Sequence, residues 1–277
     1  AITTILILDQ IKYIIDLYKE NMSINDICVS NILNKITFIF VPLVNPDGAD
    51  LVLSGNEYYE SWKANGRGVD LNRNYPTKNP DTDTVLIPGF KGYGGFPGNI
   101  CISVNEEVVH GIPSDRVLKE GDIVSVDTVA LKGGFNGDAA RTFIVGNVPK
   151  ETQRLVDVTK QAFFEGLKMA KPGNRIGDIS NAVESYVRSF GFNLVREFQG
   201  HGIGKNMHEE PGVPNIGKAG RGPRLEPGMT ICIEPMVMAG RQDIWELDDG
   251  WTIATQDGSL AAHYENTILI TDNEPKV

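Results

Sequence analysis

The sequence predicts an α+β fold with a largely antiparallel sheet. Two observations carry this. Short β-type runs stand on both sides of two amphipathic helical stretches, 152–170 and 176–190, a segregation that marks α+β and not an alternating βαβ plan. Two alternating apolar runs, 123–131 and 135–145, also flank Lys132-Gly133-Gly134. That is a β-hairpin signal, with glycines supplying the positive φ a tight turn needs.

In order along the chain, residues 4–20 carry apolar residues at helical spacing, including Ile5, Leu8, Ile11 and Ile15. Residues 36–44 (ITFIFVPLV) form a continuous β-branched and aromatic run, read as a buried strand. Asn45-Pro46-Asp47-Gly48 stops it. Residues 76–84 (PTKNPDTDT) have no periodicity and mark a boundary. The expected domains are therefore an α/β segment over 1–76, a linker over 77–87 and a second domain over 88–277. Past a glycine cluster at 89–98, strands are expected at 100–104 and 107–110, then the hairpin. The first helix is stopped by Lys171-Pro172-Gly173 and the second by Gly191. Strands return at 192–197, 229–236, 251–255 and 264–270.

Composition narrows the function classes. The apolar share is 41% and the charged share 22%, the range of a folded globular chain. A net charge of −10 argues against nucleic acid or an anionic membrane as partner, since both need basic surface. Cys28, Cys101 and Cys232 are odd in number and far apart, which reads as reduced thiols and a cytoplasmic location. The opening AITTILIL meets Asp9 too soon for a signal peptide or membrane span, and the missing initiator Met reads as a processed or cut end.

The chemistry starts at the hairpin. A turn centred between Lys132 and Gly133 would set Asp127 opposite Asp138, and like charges so placed repel unless a cation lies between them. His201 sits between close-approach glycines in Gly200-His201-Gly202-Ile203-Gly204. Glu234 interrupts the apolar run Thr230–Ile233, and Glu265 interrupts another after His263-Tyr264. A strand carboxylate without a partner is too costly to bury. Each alone has an ordinary explanation, a buried ion pair for a lone Glu or a turn for Gly-His-Gly. Four carboxylates and an imidazole together suit divalent first-row metals.

These residues carry a family resemblance. GYGGFPGNICISVNEEVVHGIP, GDIVSVDTVALKGGFNGDAARTFIVG, VREFQGHGIGKNMHEEP, LEPGMTICIEPM and DGWTIATQDGSLAAHYENTILIT resemble the type 1 methionine aminopeptidases from roughly residue 88 to 273. The resemblance implies a pita-bread fold and two divalent ions (Co, Mn, Fe or Zn). It gives Asp127 and Asp138 to one ion and His201 and Glu234 to the other, with Asp138 and Glu265 bridging. His110 and His208 match the family's two histidines that contact the scissile amide, and Glu234 its proton shuttle. The side-chain pocket maps to Phe90, Tyr93, Phe96, Cys101, Met207 and Trp251, an apolar and polarisable lining for a thioether. Implied partners are peptides and nascent proteins beginning with Met, bound by a monomer. His263 stands where the family has Gln, and the family's first two helices and opening strand have no counterpart.

Residues 1–76 resemble something else. FVPLVNPDGADLVLSG and WKANGRGVDLNRNYP are similar to an internal segment of zinc carboxypeptidases, with Asn72 and Arg73 matching the pair that binds a terminal carboxylate. No His precedes His110, and catalytic zinc needs about three protein ligands. This part therefore reads as a non-catalytic scaffold. Two alternatives stand beside the aminopeptidase: a proline-specific peptidase with the same five ligands, and a fusion of incomplete domains that at most binds metal.

Overall fold

The computed structural model describes residues 23–24, 27–28 and 87–277. The chain divides into two compact units, Ala1–Asn74 and Tyr75–Val277. In the first, strand β1 (Ser23–Ile24) pairs antiparallel with β2 (Ile27–Cys28). The helix expected over 4–20, the strand over 36–44, the break at 76–84 and Asn72 and Arg73 lie outside the described residues.

In the second unit the strands are β3 (Ile87–Pro88), β4 (Cys101–Val104), β5 (Glu107–Val109), β6 (Ile123–Lys132) and β7 (Phe135–Ile144). Two helices follow, α1 (Lys150–Met169) and α2 (Ile176–Ser189). Then come β8 (Asn193–Leu194), β9 (Gly200–Gly202), β10 (Glu209–Val213), β11 (Thr230–Ile233) and β12 (Met236–Met238). The last strands are β13 (Ile244–Glu246), β14 (Ile253–Thr255), β15 (Ala261–His263) and β16 (Glu265–Leu269). Ile87 belongs to β3 and pairs with Leu131, so the sheet takes in the last residue of the stretch read as a linker. Every pairing among the described strands is antiparallel, as the α+β reading expected.

The main sheet runs β10-β9-β11-β16-β7-β6-β3, with β4 also paired to β6; β15-β12-β8 and β13-β14-β5 form two smaller sheets. The helices form because their apolar residues recur at helical spacing. On α1 these are Leu155, Val158, Ala162 and Phe163; on α2 they are Ile176, Ile179, Val183 and Val187. Asp178 accepts the Arg175 N–H at 2.7 Å and so caps the start of α2. Both helices share one core with Ile231, Ile233, Val237, Ala262 and Ile268. Burying a side chain such as Phe163 contributes about 2–3 kcal/mol. Strand alternation then fixes the other face. Ile231 and Ile233 point to the helices, so Cys232 points away from them.

The hairpin register differs from the one expected. Lys132 pairs with Phe135, so the turn is Gly133-Gly134, and Asp127 faces Ala140 while Asp138 faces Val129. Both glycines have positive φ, +57° and +81°, the requirement of a two-residue type I′ turn, whose twist suits the strands. The shift is two residues in the pairing sum, which preserves side-chain parity. Asp127 and Asp138 therefore still share a face, as diagonal neighbours and not as a facing pair.

One strand read as continuous is broken: the run expected over 229–236 splits into β11 and β12 at Glu234-Pro235. The strand expected over 264–270 is β16, and Tyr264 separates it from β15, which was not expected. At each break the chain passes between the main sheet and the β15-β12-β8 sheet. Arg141 stiffens the second crossing: its guanidinium donates to the Glu265 carbonyl and to Asn266 Oδ1 and lies 4.0 Å from the Tyr264 ring centroid. Among the described residues no helix is long and apolar enough to cross a membrane.

Candidate active site

Four strands of the main sheet, β16, β7, β6 and β9, and the turn after β11 aim polar side chains into one cavity of about 350 Å³. Asp127 comes from β6, Asp138 from β7, His201 from β9, and Glu234 and Glu265 from the two sheet crossings; all five line the cavity. So do His110 and His208. Residue type and the family resemblance grouped these residues in the sequence, and the sheet order brings them together in space.

Close backbone approach positions His201. A Cβ on Gly200 would collide with the Cys232 carbonyl and one on Gly202 with that of Glu210, so β9 fits between β11 and β10 only with glycine at those places. The close approach expected from the flanking glycines occurs in a three-residue strand, not in the turn that is the ordinary explanation of Gly-His-Gly. A carbonyl can only accept, so the 2.9 Å contact from His201 Nδ1 to Gly202 O puts the ring proton on Nδ1. The Nε2 lone pair then faces Glu234 Oε1 at 3.6 Å and Asp138 Oδ2 at 3.9 Å.

The carboxylates are crowded and dry. Asp127, Asp138 and Glu265 are buried, and burial pushes the Asp127 carboxyl up to about 7. Burial raises Asp138 well above the usual range, with the charges of Glu265 and Asp127 adding to it. Glu234 rises through burial and the charges of Asp138 and Asp127, and Glu265 through burial and the charges of Glu234 and Asp127. Asp127 Oδ1, Asp138 Oδ1, Glu265 Oε1 and His263 Nε2 are buried without a hydrogen-bond partner. Buried polar atoms are rarely left so. Carboxylate oxygens and imidazole nitrogens converging with open valences fit divalent cations, which would satisfy the orphaned atoms and cancel the repulsion.

The histidines are held neutral. Burial lowers His110 and His201, and burial with the neighbouring His201 and His110 lowers His208 to about 4. Tyr93 Oη lies 2.7 Å from His208 Nδ1. His110 adopts φ +61°, an αL conformation that costs a non-glycine residue free energy, and its ring meets Phe198 edge-on at 5.3 Å.

The apolar wall is built by Phe90, Tyr93, Phe96, Cys101 and Trp251. Phe96 contacts Trp251 edge-on at 5.2 Å and Phe90 at 6.0 Å. Met207 is the exception. It packs in the same cluster with Phe90, Phe96, Cys101 and Val129 but does not line the cavity, because its tip turns toward Gly89. Trp251, expected in a strand, sits in a turn where Asp249 accepts its N–H at 2.9 Å. Residues that sequence reasoning did not single out also line the cavity, namely Val109, Glu197, Phe198, Gln199 and Met236, and so does His263, noted in the sequence but given no role there. His263 carried a signal, as an imidazole two residues before Glu265; the other five carried none.

The comparisons with known proteins divide the chain in two near the boundary of its compact units, with the two matches overlapping over residues 81–88. Residues 81–272 match the model of metallopeptidase family M24, and residues 1–88 match that of zinc carboxypeptidase. The methionine aminopeptidase of Clostridium acetobutylicum is 57% identical over 192 residues, covering 69% of this chain and 77% of the relative. Methionine aminopeptidase 1 of Bacillus subtilis is 51% identical over 186 residues, covering 67% and 75%. The crystal structure of methionine aminopeptidase from Thermotoga maritima superposes with a TM-score of 0.68 at 50% identity, covering 69% and 77%. Prolidase from Pyrococcus furiosus, at 24% identity and TM-score 0.52 over 64% of this chain and 47% of that one, shares the fold.

Proposed function

The chain belongs to metallopeptidase family M24, with the pita-bread fold of that family, and from this we propose that it is a metal-dependent aminopeptidase that removes N-terminal methionine from peptides and proteins. One observation carries the reading: Cys101 of the apolar wall pairs across the strands with Asp127 of the carboxylate cluster. A pocket that adjoins the reacting groups this closely takes one side chain and leaves the first peptide bond over the carboxylates. The relatives named methionine aminopeptidase agree with a wall of aromatic rings and sulfur, which suits an unbranched thioether.

In this reading Asp127, Asp138, His201, Glu234 and Glu265 would hold two divalent ions, of Co, Mn, Fe or Zn. Such ions, when bound, polarise a peptide carbonyl and acidify water. The chain's own groups do the rest. Phe90, Phe96, Cys101 and Trp251 hold the methionine side chain, and Met207 backs them. Glu234 takes the proton released by the attacking water and returns it to the leaving amine, a general acid–base role. With the Tyr93 hydroxyl donating to Nδ1, His208 keeps its proton on Nε2 and donates to the scissile amide. His110 lies on the other side of the same amide. Their neutrality matters, because each must donate without carrying a permanent charge into the cluster.

The test is release of free methionine from Met-Ala-Ser by chelator-treated protein, with and without added Mn(II) or Co(II). Metal-dependent release from Met-Ala-Ser, and none from Ala-Pro peptides, is expected. Absence of release from folded, metal-loaded protein overturns the reading.

A further inference from the structure

The five-residue ligand set leaves one buried imidazole of the cavity without a role. His263 is 2% exposed, and its Nε2 has no hydrogen-bond partner. That nitrogen lies 3.6 Å from Glu265 Oε2 and 4.0 Å from Glu234 Oε2. Both are too long for hydrogen bonds, which fall at about 2.7–3.2 Å. Both suit donors that share an ion, because two atoms each about 2.1 Å from one cation stand up to about 4.2 Å apart. His201, across the cluster, shows the same spacing, 3.6 Å to Glu234 and 3.9 Å to Asp138.

The ligand-capable atoms also sort into two groups, each lying within 4.8 Å of one another: Asp138, His201, Cys232 and Glu265; and Asp127, His263 and Glu265. Glu265 belongs to both groups, and each contains one imidazole. The backbone of His263 is pinned on both sides, since the Thr142 hydroxyl accepts its N–H at 2.8 Å and donates to its carbonyl at 2.9 Å. The ring is thus presented to the cluster by fixed strands.

We propose that His263 is a sixth protein ligand, giving Nε2 to the ion held by Asp127 and Glu265, so that each ion of the pair has one imidazole. The proposal rests on the two-ion reading above. It makes a distinct chemical claim, because a nitrogen donor added to an all-carboxylate site biases it from Mg- and Ca-like ions toward later first-row metals.

The test uses the full chain reconstituted with Co(II) and followed by proton NMR. Each imidazole bound through Nε2 contributes one solvent-exchangeable, hyperfine-shifted Nδ1–H signal. Two are expected in the native protein, with one lost in His263→Gln and the other in His201→Gln. Equilibrium dialysis should show one Co(II) bound at least about tenfold more weakly in His263→Gln. Retention of both signals in His263→Gln overturns the proposal, as does a native protein with a single signal that His201→Gln removes. The native measurement stands even where a variant fails to fold. A native protein that binds no Co(II) overturns the two-ion reading itself and the proposal with it, an outcome distinct from binding with a single imidazole.

Discussion

The hydroxyl of Tyr93 lies 2.7 Å from Nδ1 of His208, joining the aromatic wall of the cavity to an imidazole whose ring centroid is 4.3 Å from that of His201. One hydrogen bond thereby couples a group that shapes the pocket to the group proposed to contact the scissile amide. Tyr93→Phe keeps the ring and removes the donor. We expect kcat on a Met-initiated tripeptide to fall about tenfold, the worth of one hydrogen bond of about 1–1.5 kcal/mol, with KM within about twofold. A change confined to KM would place Tyr93 in the wall alone.

Asp138→Ala removes the carboxylate assigned to both ions. The hairpin should survive, because Asp138 joins its neighbour through the backbone: its N–H donates to Thr267 Oγ1 at 2.8 Å and its carbonyl accepts from that hydroxyl at 3.2 Å. Peptide cleavage should fall below detection and metal stoichiometry should drop, with native circular dichroism. Near-native cleavage would show that the site is misassigned.

Metal-free protein should lose stability as pH rises from about 6.5 to about 8. Asp127, raised by burial to about 7 from 3.8, and the raised Asp138, Glu234 and Glu265 hold protons in the fold that the unfolded chain has already released. A carboxyl raised in this way stabilises below its unfolded pKa and loses that contribution as pH passes its folded value. The lowered histidines act in the opposite sense, but only below their ordinary value of 6.5. Above it the carboxylates act alone, each giving a slope of at most about 1.4 kcal/mol per pH unit. Thermal unfolding of chelator-treated protein measures this. A Tm that stays flat across that window, or that added Mn(II) fails to raise at its alkaline end, contradicts the account.

Phe96→Ala should destabilise the fold by about 3 kcal/mol. The side chain is buried at 3% exposure and loses its edge contacts to Trp251 and Phe90. Denaturant unfolding reads the stability, and KM for Met-initiated peptides should rise with it. An unchanged KM would separate Phe96 from the pocket.

Much of this fold was legible because its elements have strong periods. The two helices read within two residues at either end, and the hairpin was found from alternation and glycine. Its register was not, since Lys132-Gly133-Gly134 permits more than one turn and only the backbone angles of Gly133 and Gly134 decide. The face shared by Asp127 and Asp138 survived because the error was an even number of residues. The break beside Glu234 was hidden, because apolar residues continue on both sides while the chain changes sheets, and β15 went unread before Tyr264. Strands β10 and β13 went unread for the opposite reason. Glu209–Val213 and Ile244–Glu246 carry no alternation, and their partners supply the pairing. Phe198, set against His110, is one aromatic among 11 phenylalanines until the fold places it.

The order of strands across the main sheet, with β9, β11, β16, β7 and β6 side by side, has a kinetic consequence. β6 and β7 meet across a two-residue turn, but β7 with β16, β16 with β11 and β11 with β9 join segments far apart in the chain, so the full cluster closes only after long loops have closed at an entropic cost. His201, Glu234 and Glu265 are then brought to the hairpin pair Asp127 and Asp138 last, at the slowest stage of assembly. An ion that binds only the finished arrangement acts after that stage, slowing escape from the native state more than it speeds arrival.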